Sequence, residues 1–283
     1  FARKRYAVGQ ATDKVNGLRI IFVPTIYTKH LEAITHTFFS TLRCLFMRLD
    51  VIHFQGVGPA LLSWMPRIFR PRIVVVVTFH SQDRYHLKWG VFARLILHIG
   101  EWMACKIPHA TIVVSHGMQV LVRREYGAHA VFIPNGALLK SVYTTRELGA
   151  LGLKPKEYIL TVGRLLPVKG IHYLIPAYRR VKTTMPLIIV GAPAESGYLE
   201  HLKSLTKGDA RIRFVGYKIG QALDELFAHS YLFCQPSIAE GLPLAVLEAM
   251  SFGVPVLVSD VQGNVEAIHR SGFTFESENI DDL

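Results

Sequence analysis

Two carboxylates separated by seven residues, Glu240 and Glu248, frame the stretch of this sequence best suited to chemistry: CQPSIAEGLPLAVLEAMSFGVPVLVS, residues 234–259. An apolar strand ending near Gln235 and Pro236 runs into a turn, Ser237 to Pro243. A helix follows, with Pro243 where a first-turn proline is tolerated and with apolar Leu244, Leu247, Ala249 and Met250 to pack. Gly253 and Pro255 stop it, and a second apolar strand, Val256 to Ser259, completes a strand–helix–strand unit of a parallel sheet. Glu240, off the helix start, can reach a ligand above the strand ends. Glu248 faces the same crevice only if the helix edge lines it. The backbone N–H groups of Gly241, Leu242 and Leu244 lie between the acids, at a helix N-terminus suited to anionic groups. Taken singly, Glu240 is equally a partner for the helix dipole and Glu248 a solvated helix acid.

A second set of groups is cationic. A strand at 158–162 leads into Gly163-Arg164-Leu-Leu-Pro-Val-Lys169-Gly170. A guanidinium binds two phosphate oxygens at once and an ammonium adds a point charge. Five residues apart across a loop, the two can converge on a diphosphate, or stand as solvated surface cations. In the first half, the apolar run through Phe79 delivers His80, Ser81 and Asp83 beyond a strand's carboxyl end, where ligands of open α/β sheets bind. A lone histidine there is more commonly a packed or capping group. His80 stands out because its strand is central by pattern and its neighbours are polar.

Glu-Gly-Leu-Pro-Leu, three residues, Glu-Ala-Met and then Gly-Val-Pro-Val closely resembles the E-x7-E signature of retaining GT-B glycosyltransferases, the family 4-like group of glycogen synthase and sucrose synthase. Val-Gly-Arg-Leu…Lys-Gly resembles that family's donor-diphosphate motif. Val-Thr-Phe-His-Ser-Gln-Asp, with Lys-Trp-Gly at 88–90, is similar to the active-site loop of its N-terminal domain, and Val114-Ser115 and Ile133-Pro-Asn-Gly136 to two further landmarks. The resemblance implies two Rossmann-like doubly wound domains facing a cleft and transfer of a hexosyl or deoxyhexosyl group from a nucleotide-sugar, with anomeric retention. It implies that Glu248 takes the ribose hydroxyls and Glu240 those of the transferred sugar, with Gly241, Leu242, Pro243 and Leu244 beside the sugar and phosphates. Gly163, Arg164 and Lys169 would hold the diphosphate, and Val215 and Gly216, in the loop 214–217, the base. His80, Glu240, Arg164 and Lys169 would be the catalytic set. No Asp-x-Asp motif occurs, so donor binding without a metal or other cofactor is expected. The resemblance also places a first strand with its Gly-rich loop before Phe1 and a last helix after Leu283, so the sequence reads as lacking both ends. A non-catalytic nucleotide-sugar-binding protein of the same fold would keep the same motifs.

The elements that must position these groups alternate strand and helix along the whole chain. Strands are expected at 18–23, 51–54, 73–79, 111–114 and 131–133, then at 158–162, 187–190, 212–215 and 231–234. Helices are expected at 30–49, 88–106 and around 174–181, 199–205 and 223–227. In the 30–49 helix Leu31, Ile34, Phe38, Leu42, Leu45 and Leu49 recur at threes and fours, forming a broad apolar face. That face suits the domain core, and a membrane surface is its other possible partner. Gly56 and Gly58 fit a tight turn, because the nucleotide-binding pattern G-x-G-x-x-G is not completed. Residues 139–154 lack a clean period and read as a link between an acceptor-side domain, 1–138, and a nucleotide-sugar-binding domain, 155–283.

Half of the 283 residues are apolar, enough for two cores. Three cysteines in no metal or redox spacing fit a reducing, cytoplasmic setting. Charge is distributed unevenly: through Leu138 there are 17 Lys and Arg against 6 acids, and from Leu139 onward 15 against 15. The first half therefore suits something anionic, such as a lipid-linked glycan acceptor or an anionic membrane surface. Arg43, Arg48, Arg67, Arg70 and Arg72 are candidates for that contact. Nucleic acid is not expected, because no aromatic-and-basic interleaving or recognised module accompanies the charge.

Overall fold

The structure, a computed structural model, describes residues 1–3, 14–15, 17–28, 31–81 and 90–283. They form two compact units, Phe1–Ile133 and Pro134–Leu283.

The first unit opens with a short antiparallel pair, β1 (Lys14–Val15) and β2 (Leu18–Arg19). The strand expected over 18–23 stops at Arg19: Phe22 forms a lone bridge with Ala2, and Pro24 has no N–H with which to extend the ladder. Helix α1 (Leu31–Leu45) is four residues shorter at its end than expected. Phe46 and Met47 donate to the carbonyls of Arg43 and Cys44, tightening the last turn so that the chain can enter β3 (Val51–Gln55). Its inward face is also rotated from the expected one. Thr41 and Cys44 are the buried positions, whereas Leu31, Ile34 and Phe38 are exposed.

Short helices α2 (Val57–Ala60) and α3 (Trp64–Phe69) lead to β4 (Val74–Phe79), whose β-branched run starts at an exposed Val74 and is buried at Val75, Val77 and Thr78. Helix α4 (Val91–Lys106), β5 (Ala110–Val113), α5 (His116–Tyr126) and β6 (Val131–Phe132) complete the unit. Lys88 and Trp89, expected in the first turn of α4, lie outside the described residues, as does Asp83. Strands β3-β4-β5-β6 pair in that order, all parallel. Gly100 on α4 permits close packing on α2, since a Cβ there would lie 2.5 Å from the Val57 carbonyl oxygen. The Ser115 side chain caps α5 by accepting from the Met118 N–H at 3.2 Å.

The second unit begins with α6 (Arg146–Ala150) and β7 (Ile159–Val162), followed by a 3₁₀ turn at Pro167–Lys169 and α7 (Ile171–Arg180). Then come β8 (Leu187–Val190), α8 (Tyr198–Thr206), β9 (Ile212–Gly216), α9 (Gly220–Ala228) and β10 (Leu232–Gln235). Helix α10 (Leu244–Ser251), β11 (Val256–Ser259), α11 (Gln262–Ile268) and β12 (Phe273–Phe275) follow. All six strands are parallel, in the order β12-β11-β10-β7-β8-β9. Successive residues of β8 enter different cores: Ile188 and Val190 pack with Phe227 and Val246, and Leu187 and Ile189 with Ile175 and Leu202. Both faces of the sheet are thus covered, as a continuous apolar strand requires.

The order reverses between β10 and β7. From β7 the chain winds outward through β8 to β9, then returns to place β10 on the other side of β7. Ligands of doubly wound sheets bind at such a switch point, outside the carboxyl ends of the strands.

The segment 139–154, expected as a link, is folded into the second unit. Leu148 is fully buried, and the Glu225 carboxylate on α9 accepts from Thr144 Oγ1 at 2.6 Å and from the Glu147 N–H at 2.7 Å. A buried acid on a distant helix thereby satisfies a donor at the start of α6 that the five-residue helix cannot. These bonds, Thr144's foremost, hold the Glu225 carboxyl below the usual carboxylate range.

Candidate functional site

The loops after β7 and β10 meet at the switch point. Gly170, in the left-handed region at φ 65°, lies so close to the second loop that a Cβ would stand 1.7 Å from the Pro236 carbonyl oxygen. Alongside, the Ile238 N–H donates to the Val168 carbonyl at 2.9 Å. This backbone contact sets the geometry of the side chains above it. Lys169 Nζ donates to Glu240 Oε1 at 2.6 Å, and both side chains are largely buried. The Lys169 stem runs over Gly163, 3.8 Å from where a side chain there would begin.

Two further donors reach the same carboxylate oxygen: Gln235 Nε2 at 2.8 Å and Ser237 Oγ at 2.6 Å. Three donors, on Lys169, Gln235 and Ser237, therefore converge on Glu240 Oε1. Neither Gln235 nor Ser237 was singled out by the sequence reading. Ser-x-x-Glu spacing before an apolar run was the available signal, although here the serine reaches the carboxylate itself.

Helix α10 begins at Leu244 with Pro243 as its N-cap, one residue from expectation. The N–H groups of Gly241, Leu242 and Leu244 have no hydrogen-bond partner among the described residues. Asn135 Nδ2 donates to the Leu242 carbonyl at 2.9 Å and so steadies this turn. Gly263 on α11 is forced by it: a Cβ would sit 2.5 and 2.6 Å from the carbonyl oxygens of Glu240 and Gly241.

Glu248 lies half-buried on α10, and its carboxylate makes no hydrogen bond or ion pair with the described residues. Burial pushes its carboxyl above the ordinary range, Asp224 adds to the shift and Lys140 opposes it. Lys140 and Asp224 pair at 2.8 Å nearby. Arg164 is exposed, and its guanidinium is likewise without a described partner. Val215 and Gly216 end β9, where pairing with β8 skips Val215, and the Gly216 carbonyl accepts from the Gly191 N–H at 2.9 Å.

His80 belongs to the first unit. It projects, exposed, beyond β4, and its Nε2 bonds Gln55 Oε1 at 2.8 Å. Since a carbonyl oxygen only accepts, Nε2 carries the hydrogen. Gln55 Nε2 in turn approaches His53 at 3.2 Å, and His53 Nε2 bonds Thr78 Oγ1 at 2.7 Å. Of the arginines singled out by charge, Arg43, Arg48, Arg67 and Arg72 are exposed, and Arg67 bonds His109. Arg70 is occupied with the Leu45 carbonyl at the end of α1.

Two family models divide the chain between them. Residues 3–139 match glycosyltransferase family 4, and residues 146–283 match the glycosyl transferases group 1. Each half thus matches a glycosyltransferase family model. An uncharacterized glycosyltransferase of Haemophilus influenzae is 25% identical over 213 residues, 70% of this chain and 58% of that protein. A phosphatidyl-myo-inositol mannosyltransferase of Mycobacterium leprae is 29% identical over 219 residues, 75% of this chain and 55% of that one. The chain thus spans little more than half the length of these relatives. Among solved structures, Anabaena HepE in complex with UDP and glucose superposes with a TM-score of 0.74 at 19% identity, covering 88% of this chain and 70% of HepE. Sucrose-phosphate synthase from Thermosynechococcus elongatus gives 0.73 at 22% identity, over 89% of this chain and 67% of its own. These likenesses establish the glycosyltransferase fold, two parallel-sheet α/β domains of the GT-B kind. Among the described residues no helix is long and apolar enough to cross a membrane.

Proposed function

We propose that the protein transfers a hexosyl or deoxyhexosyl group from a nucleotide-sugar to a glycan or lipid-linked acceptor, with retention at the anomeric carbon. The observation that carries this reading is the meeting of Lys169 and Glu240 across the switch point, beside the unpartnered N–H groups that start α10. Rupture of the bond between anomeric carbon and phosphate leaves a cation-like sugar and adds negative charge to a diphosphate. Lys169, Arg164 and the α10 N-terminus supply positive charge for the second, and stabilisation of developing charge is usually the largest catalytic term. Glu240 suits the sugar hydroxyls and Glu248 the ribose diol, because each carboxylate oxygen accepts an O–H. Val215 and Gly216 border the position assigned to the base. His80, with its Nε2 held by Gln55, is assigned to the acceptor-side domain's part in catalysis. UDP and glucose in HepE support a nucleoside diphosphate sugar as donor.

The acceptor is assigned to an anionic or membrane-borne class. The basic first half supports this, as do relatives such as the Escherichia coli galactosyltransferase whose name specifies a diphosphoundecaprenol-linked acceptor. Co-sedimentation with phosphatidylglycerol vesicles, lost at high salt, is the expected sign of attachment by charge. No sedimentation at low salt refutes the membrane assignment.

A screen of UDP-, GDP-, ADP- and dTDP-sugars for thermal stabilisation of the full protein tests the main reading. A donor at a hundred times its dissociation constant adds roughly 2.7 kcal/mol, and Arg164→Ala should reduce that gain. Failure of every donor to stabilise the protein refutes the assignment. Binding without sugar release refutes the enzyme and leaves a nucleotide-sugar-binding protein.

A further inference from the structure

Glu240 is held by more than its ion pair. Gln235 and Ser237 are buried, with 3% and 0% of their surface exposed, at the end of a strand otherwise made of Leu232, Phe233 and Cys234. A parallel strand covered on both faces is ordinarily apolar throughout, so an amide and a hydroxyl here call for a reason. Their hydrogens supply one. Gln235 Nε2 donates to Ser237 Oγ at 2.8 Å and to Glu240 Oε1 at 2.8 Å, and Ser237 Oγ passes its hydrogen to the same Oε1. The turn beneath is fixed from the other side. Ser259 Oγ on β11 donates to the Ser237 carbonyl, and Asn264 Nδ2 on α11 donates to Ser259 Oγ at 2.8 Å. Ser259 and Asn264 are also fully buried.

We infer that Gln235 and Ser237 are positioning residues that lock the Glu240 carboxylate by one oxygen and leave the other for the donor sugar. With Lys169 they bring three donors to Oε1, whereas Oε2 takes no hydrogen bond from a described residue. The amide of Gln235 is oriented by the carboxylate, because its oxygen would otherwise face the acceptor Glu240 Oε1. The lock also persists when Lys169 turns to a phosphate, since two of the three donors remain on Oε1. A carboxylate held by the lysine alone would swing with it. The inference rests on the reading of Glu240 as the group that grips the sugar.

The test compares Ser237→Ala and Gln235→Leu with the wild-type protein, using the nucleotide-sugar that gives the largest thermal stabilisation. Titration with the matching nucleoside diphosphate should show unchanged stoichiometry and an affinity within twofold of wild type, because neither residue is assigned to the nucleotide. Turnover per nucleotide-binding site should fall at least tenfold in each variant. Wild-type turnover in both variants overturns the inference. So does a loss of nucleotide sites in proportion to the loss of turnover, which marks the two residues as structural only. Crystal structures of the variants give a readout independent of activity: Glu240 should rotate so that Oε1 leaves its present place, and an unmoved carboxylate overturns the inference. Absence of donor binding by the wild type is a different result, which refutes the glycosyltransferase reading itself.

Discussion

The ammonium assigned to the phosphates is bound to the carboxylate assigned to the sugar, so a diphosphate competes with Glu240 for Lys169. Glu240→Gln removes that competitor while keeping an oxygen for Gln235, Ser237 and Lys169 to donate to. The Lys169 ammonium keeps its charge, so its bond to the amide stays charge-assisted, and what is lost is the Coulomb attraction of the pair, about 1 kcal/mol in water and more where the pair is partly buried. The substitution therefore weakens the hold on Lys169 by about 1–1.5 kcal/mol. A free nucleoside diphosphate should bind Glu240→Gln roughly five- to tenfold more tightly than wild type, at about 1.4 kcal/mol per tenfold. Sugar transfer should fall at least tenfold, since an amide offers one acceptor where the carboxylate offered two. Isothermal titration with the nucleoside diphosphate, beside turnover of the matching nucleotide-sugar, reads both effects. Unchanged or weaker nucleotide binding by a folded Glu240→Gln protein refutes the competition, and with it the placement of the phosphates on Lys169.

Glu248→Gln should weaken nucleotide and nucleotide-sugar binding alike, by about 1.5–3 kcal/mol for lost charge-assisted bonds to the ribose, in parallel titrations. It should nevertheless raise the melting temperature at pH 7. Burial raises the Glu248 carboxyl above its ordinary value of 4.5, so its contribution to stability is present below that value and is lost as pH rises through the raised one. The advantage of the glutamine should therefore vanish in melting curves taken below about pH 4. Glu225→Ala should leave the Glu147 N–H and the Thr144 hydroxyl hydrogen without their acceptor, costing about 1–3 kcal/mol and raising amide exchange across α6. Its carboxyl is held below the ordinary 4.5, so the stability it contributes is present above that value and disappears as pH falls through the lowered one. Gly170→Ala should lower the melting temperature and abolish nucleotide-dependent stabilisation, because φ 65° and the approach of Pro236 exclude a side chain. A Gly170→Ala protein that melts and binds as wild type would show that the two loops can part without consequence.

The second unit was the more legible half. Strand β8 was placed to the residue by its run Leu-Ile-Ile-Val, and β7, β9 and β10 within one residue, because buried parallel strands announce themselves by apolar runs between turns. Helices α6 and α11 were not anticipated. The first is five residues whose start is satisfied by Glu225, 78 positions away from Glu147. The second carries a buried Gly263 and Asn264 where an apolar period would show. At the site, Arg164, Lys169 and Glu240 were recognisable by charge and loop position. The ion pair between the last two was not, since it depends on β10 lying beside β7. The polar support beneath Glu240 was hidden for the same reason: Asn264 and Ser259 reach Ser237 only through the parallel pairing of β10 with β11. In α1 the heptad-like spacing was real, but packing against α2 and α3 buries Thr41 and Cys44 instead.

The approach of Gly170 to Pro236 also bears on how such sequences can diverge. At a Cβ distance of 1.7 Å the loop after β7 and the loop after β10 fit as surface and mould, and neither can change its backbone path alone. Chimeras that take one of these loops from a relative and leave the other should misfold at the switch point even when each parent folds well. Chimeras that take both should behave as grafts of a single cassette. Donor preference would then be inherited in paired exchanges at 163–170 and 235–244, with single substitutions confined to side chains that point away from the seam.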